Sequence, residues 1–112
     1  RLVVRKMEFK YLMIKFLLFL VLLFSQATLA EVEQFYEPRI DGLRMDRCLT
    51  FAKGCNEPAA NRWCFQEGYE KAIYWELLDN VGDKYPTKTI SSKAICNNKS
   101  CDSFQFIVCY RP

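Results

Sequence analysis

Six cysteines and no histidine define the chemistry open to this 112-residue chain. Cys48, Cys55, Cys64, Cys96, Cys101 and Cys109 are an even set, and no pair of Cys-x-x-Cys knuckles occurs among them. A structural zinc site draws on such knuckles or on histidine, so the spacing reads as three disulfides and no metal is expected. Without histidine, Ser-His and Cys-His nucleophile pairs and histidine-bound metal hydrolysis are excluded. No cofactor is expected either.

General acid-base work by carboxylates is the remaining catalytic option. Asp41, Asp46, Glu57, Glu67, Glu70, Glu76, Asp79, Asp83 and Asp102 are candidates, but no spacing singles out a pair, and carboxylates balanced by cations are what a solvated surface shows. The chain therefore reads as a non-enzyme. Two further groups could act by binding or modification. Trp63, Tyr69, Tyr74 and Trp75 could form a platform on which a sugar ring stacks, with core packing as their other use. Asn98-Lys99-Ser100 is an N-glycosylation sequon inside the polar turn between Cys96 and Cys101.

The elements that must position these residues begin after an N-terminal leader. Residues 1–6 are expected to be upstream translated sequence, with Met7 the natural start. Met7 to Lys15 is a basic n-region, Phe16 to Phe24 an unbroken apolar run, and Ser25 to Ala30 a small-residue stretch with Thr28 and Ala30 at the peptidase positions. Residues 7–30 thus read as a signal peptide cleaved before Glu31. The run, bounded by Lys15 and Ser25, is short for a spanning helix of roughly 20 apolar residues. Disulfides suit the oxidising compartment this implies.

Cleavage changes the charge balance. The full chain has 16 basic and 13 acidic residues, and five of the basic but only one of the acidic lie in residues 1–30. The mature part keeps eleven basic against twelve acidic residues and is close to neutral, although the whole-chain pI is about 8.5. No basic stripe remains for a phosphate backbone, and no cationic surface for anionic lipid. Nucleic acid and, after cleavage, membrane are not expected partners, and a monomer is expected.

Residues 31–40 are acidic and aperiodic and read as a flexible lead-in to a six-cysteine domain over 41–112. Alternation, broken at Arg47, predicts a strand over Leu43 to Phe51, a short helix being the alternative. Asn56-Glu57-Pro58 predicts a helix start with Asn56 as side-chain cap, Ala60 and Cys64 facing inward beside Trp63, and Gly68 ending the helix. Lys71 to Leu77 fits a strand with Ile73, Trp75 and Leu77 on one side, helix continuation being the alternative. Thr87 to Ile95 and Ser103 to Tyr110 are further strands, the latter with Phe104, Phe106 and Val108 on one face and Ile107 and Cys109 on the other. The expected fold is α+β: one helix packed on a three- or four-stranded antiparallel sheet. Cys96 and Cys101 are placed to close a hairpin. The other four cysteines allow three pairings, of which Cys48 to Cys109, strand to strand, with Cys55 to Cys64 is preferred.

Asp46-Arg47-Cys48-Leu49, Gly54-Cys55, Pro58-Ala59-Ala60, Trp63-Cys64-Phe65, Gly68-Tyr69, Pro86-Thr87 and the block from Cys96 through Cys101 to Phe104, Ile107 and Cys109 resemble the pattern of a family of small secreted six-cysteine plant proteins with bacterial relatives. The resemblance spans nearly the whole mature domain. It implies the six-cysteine architecture and a plant extracellular setting and carries no activity with it. Asn56 departs from the pattern, which has glycine after Cys55. The functional expectation is a secreted, non-catalytic binding module of the extracellular space, or apoplast, with a cell-wall carbohydrate or a surface protein as ligand. The alternative is a defence peptide, an antimicrobial or a protease inhibitor, with Asn80 to Pro86 or Asn97 to Ser100 as the inhibitory loop.

Overall fold

The computed structural model describes residues 12–20 and 29–112. Residues 12–20 are helical, and no helix among the described residues is long and apolar enough to cross a membrane. The expected start at Met7, the end of the apolar run and the peptidase stretch up to Thr28 lie outside the described residues.

The domain is a small disulfide-rich α+β structure. Its strands are β1 (Glu31–Tyr36), β2 (Arg39–Ile40), β3 (Leu43–Met45), β4 (Cys48–Thr50), β5 (Lys53–Cys55), β6 (Lys71–Leu78), β7 (Thr87–Lys88), β8 (Ile95–Cys96) and β9 (Ser103–Arg111), with a helix over Glu57–Gln66 between β5 and β6. The longest strand, β9, lies at the centre of an antiparallel sheet of order β1-β9-β6. A second sheet, β2-β3-β7-β8, contains a parallel pair, β3 with β7, and β4-β5 forms a separate hairpin.

The helix packs on β6 and β9 through Ala59, Ala60, Trp63 and Cys64, all buried. Pro58 in its first turn wastes no donor. At its other end the Gly68 amide donates to the Phe65 carbonyl (3.1 Å) and the Tyr69 amide to the Cys64 carbonyl (2.8 Å), a Schellman arrangement that needs the left-handed φ of 87° at Gly68. The start differs from expectation. Asn56 makes no side-chain cap; it adopts φ 69° and ψ −109°, outside the left-handed helical region and a backbone conformation that favours glycine, and its amide donates to the Arg47 carbonyl at 2.8 Å.

Residues 31–40, expected to be a flexible lead-in, instead supply β1 and β2. β1 pairs along its whole length with β9, from Glu31 opposite Arg111 to Tyr36 opposite Phe106. Phe35 packs edge-on against Trp63 and Tyr69, with ring centroids 5.7 and 5.8 Å away, and Glu31 forms an ion pair with Arg111. A strand that completes a sheet and covers core rings has reason to be ordered.

The single strand expected over Leu43 to Phe51 breaks at Asp46. Its carboxylate is buried and accepts hydrogen bonds from the Cys48 amide (2.9 Å) and the Thr87 hydroxyl (2.7 Å), while its backbone bridges to Ser103. A buried carboxylate must be satisfied in this way, and turning the chain so that the Cys48 amide and the Thr87 hydroxyl reach it satisfies it. Thr87 to Ile95 likewise splits into β7 and β8. The turn between them is held by the Thr89 hydroxyl, which accepts from the Ala94 amide at 2.8 Å.

The disulfides are Cys48–Cys55, Cys64–Cys109 and Cys96–Cys101. The Cys96–Cys101 bridge is as expected, but the turn it closes joins β8 and β9, which lie in different sheets and do not pair with each other; the preferred pairing of the other four is corrected. Cys48 and Cys55 are direct partners in the β4-β5 hairpin. Cys64 on the inner helix face meets fully buried Cys109 on the central strand, with Cα atoms 5.4 Å apart, and so bolts the helix to the sheet.

Candidate interaction face

Two β-bulges decide which side chains of the β1-β9-β6 sheet face the helix. On β6 the register passes from Ala72 opposite Cys109 to Tyr74 opposite Val108, leaving Ile73 as the extra residue. On β9 it passes from Phe106 opposite Glu76 to Phe104 opposite Leu77, leaving Gln105 extra. A bulge inserts one residue and so exchanges the two faces beyond it. The inner face therefore collects Phe35, Ala72, Trp75, Leu77, Phe104, Ile107 and Cys109. Two expected groupings are corrected: Ile73 does not accompany Trp75 and Leu77, and Phe104 does not share a face with Phe106 and Val108.

The outer face is built from three cross-strand rows: Val32, Tyr110 and Lys71; Gln34, Val108 and Tyr74; Tyr36, Phe106 and Glu76. Tyr36 is 63% exposed, Val32 58% and Tyr74 53%, with Ile73 exposed at the bulge beside them. Phe106, Val108 and Tyr110 on the central strand are half-buried. The Tyr74 and Phe106 ring centroids are 5.8 Å apart. The Tyr74 hydroxyl donates to Glu76 at 2.9 Å, and this bond, with the field of the same carboxylate, raises the Tyr74 pKa above its ordinary value. Lys71 and Glu76 are the two charged side chains in the rows, so the face is aromatic and nearly neutral.

Of the four aromatics singled out from sequence, Tyr74 alone lies on this face. Trp63 is buried in the core. Tyr69 is buried too, its hydroxyl donating to Glu33 and its ring lying 4.6 Å beneath the Arg111 guanidinium. Trp75 is half-buried against the core. Sequence reasoning missed Val32, Tyr36, Phe106 and Tyr110 as surface partners of Tyr74. The even positions of β1 and those of β9 from Phe106 onward share one face, a period-2 signal, but it becomes informative only once β1 is known to be a strand and the bulge at Gln105 is known to put Phe104 on the other side.

A shallow cleft of about 230 Å³ lies elsewhere, between the Cys48–Cys55 and Cys96–Cys101 bridges. Its acidic groups are already engaged. Asp102 pairs with Arg47 at 3.1 Å and accepts the Asn80 amide at 2.9 Å, and Asp46 is held as described above. Every cysteine is in a disulfide, so no thiolate is present as nucleophile or metal ligand. Asn98, on the tip of the Cys96–Cys101 hairpin, is exposed.

These features define a disulfide-bonded α+β domain that presents one open aromatic sheet face. No family model matches the chain, and comparison with curated proteins and with solved structures finds no match.

Proposed function

We propose that this protein is a secreted, non-catalytic binding module of the extracellular space and that the outer face of the β1-β9-β6 sheet binds carbohydrate. The observation that carries the reading is the exposed set of Tyr36, Tyr74 and Val32 around the half-buried Phe106 on a rigid sheet. Large contiguous exposed apolar patches mark interaction sites, whereas apolar side chains scattered singly over a surface do not. Tyrosines offer a sugar both a ring to stack on and a hydroxyl to bond with. Gln34 beside Val108 and Gln105 beside Tyr36 add amide donors and acceptors for hydroxyl groups.

The reading of secretion is supported by the leader-like sequence over residues 7–30 and by three disulfides, which persist in oxidising compartments. The resemblance to small secreted six-cysteine plant proteins points to the apoplast, and the near-neutral mature charge suits a neutral polysaccharide better than a polyanion. The test is a screen of the secreted, oxidised protein against immobilised neutral and acidic oligosaccharides. Retention on neutral chains is expected. Retention on none of them, with a surface protein captured instead, transfers the face to a protein ligand.

One observation favours the defence reading. The turn over residues 97–100 is exposed throughout and clamped by Cys96–Cys101, the format of a rigid inhibitory loop. The Asn80 to Pro86 loop is less suited, because Val81 and Gly82 are buried against the hairpin. Protease assays with micromolar protein separate the readings: inhibition assigns the turn to a protease, and unchanged rates leave the sheet face as the functional surface.

A further inference from the structure

We infer that Asn98 is an N-glycosylation site whose acceptor geometry is built into the disulfide hairpin. The sequence contains one Asn-x-Ser/Thr, at Asn98-Lys99-Ser100. Such a tripeptide arises by chance, and its structural setting gives it weight. The Asn98 side-chain oxygen accepts hydrogen bonds from both the Ser100 amide (2.9 Å) and the Ser100 hydroxyl (2.5 Å). This Asx turn commits the carboxamide oxygen to the third residue of the motif, and no hydrogen bond in the described residues engages the carboxamide nitrogen.

The backbone of the turn is fixed on its other side. A Cβ on Gly82 would lie 2.3 Å from the Asn98 carbonyl oxygen and 2.4 Å from the Cys101 Cβ, so the hairpin packs directly onto a glycine backbone. The Val81 amide donates to the Cys101 carbonyl at 2.8 Å, and the Cys101 amide to the Asn98 carbonyl at 3.2 Å. Backbone anchoring faces the protein while residues 97–100 are exposed.

The chemistry is a glycosyl transfer from a polyprenyl-diphosphate-linked oligosaccharide of the secretory pathway. The Asn98 nitrogen forms a bond to the sugar anomeric carbon, the bond from that carbon to phosphate breaks, the polyprenyl diphosphate leaves with the electron pair, and one carboxamide proton is lost to a base. The turn joins β8 of the second sheet to β9, ahead of the outer-face positions Phe106, Val108 and Tyr110, and a glycan here caps the disulfide turn. It also blocks residues 97–100 from acting as an inhibitory loop.

The inference rests on the proposed secretion, and the test separates the two. The full chain is expressed in human cell culture, and intact mass of the protein in the medium is measured before and after peptide-N-glycosidase. The expected result is a single glycan, its release leaving aspartate at position 98. Ser100→Thr keeps the modification because it keeps the hydroxyl, while Ser100→Ala and Asn98→Gln lose it and remain secreted with three disulfides. Protein secreted without a glycan overturns the inference and leaves secretion standing. Protein retained in the cytosol overturns secretion, and the modification with it.

Discussion

The two faces of the β1-β9-β6 sheet are made from the same strands and treated in opposite ways. On the inner face Phe104, Ile107 and Cys109 are fully buried under a helix that is covalently tied to the central strand, whereas on the outer face Tyr36, Val32 and Tyr74 are more than half exposed. The inner side chains repay the cost of ordering the chain by leaving water. The outer ones repay little of it in the free domain, and under the proposed function a ligand covers them. Placement on the two faces is set by the bulges at Ile73 and Gln105.

Removing the inner covalent tie has the largest expected effect. In the chain-entropy picture, a bridge closing the 45-residue separation between Cys64 and Cys109 is worth about 4 kcal/mol, against about 2 kcal/mol for the five-residue separation of Cys96 and Cys101. Both cysteines of the long bridge are fully buried, so replacing them also leaves unfilled volume. Denaturant melts of the two double alanine variants should show Cys64/Cys109 far less stable than Cys96/Cys101. Equal midpoints would show that the helix does not depend on this tie.

Next in size is the contrast between faces in single substitutions. Phe104→Ala removes a fully buried ring and is expected to cost about 3 to 5 kcal/mol, a large share of the 5 to 15 kcal/mol typical of a folded domain. Tyr36→Thr and Tyr74→Thr keep β-propensity on an exposed surface and are expected to change stability by about 0.5 kcal/mol or less. Thermal melts decide this; an outer substitution as costly as Phe104→Ala would make the outer face structural.

A smaller effect lies at alkaline pH. The hydrogen bond from the Tyr69 hydroxyl to Glu33, followed by burial, raises the Tyr69 pKa above its ordinary value of 10.0, and Arg111 opposes the shift. Because the folded pKa is the higher one, the contribution to stability is complete below pH 10.0 and is lost as pH rises through the folded value. Tyr69→Phe should lower stability by a constant amount through neutral and acidic pH, leaving the slope there as it was, and flatten the profile above pH 10.0, as read by melts from neutral into the alkaline range.

Local signals in the sequence carried part of this fold. Gly68 marked the helix end, Pro58 its first turn, the branched and aromatic residues of β6 and β9 their strands, and the polar turn between Cys96 and Cys101 its bridge. What was not legible depended on distant partners. β1 is acidic and unremarkable until Arg111 and Tyr69 are placed beside Glu31 and Glu33. Asp46 interrupts a strand because Thr87 lies within reach of its carboxylate, and the bulges at Ile73 and Gln105 leave no mark in the alternation of residue types. The Cys64–Cys109 bridge was within reach, since both residues occupy inward positions of elements that must pack together. Of the proposed face, Tyr74 was singled out from sequence, but its neighbours Tyr36 and Phe106 come from strands at opposite ends of the domain's sequence.

The most direct test of the central claim is the affinity of the secreted protein for the neutral oligosaccharide it retains best, compared with that of the Tyr36→Thr/Tyr74→Thr variant. Loss of binding by about tenfold or more, as befits removal of hot-spot rings, with unchanged disulfides and melting temperature, is the predicted result. Equal affinity in the two proteins would contradict the assignment of the outer sheet face as the binding surface.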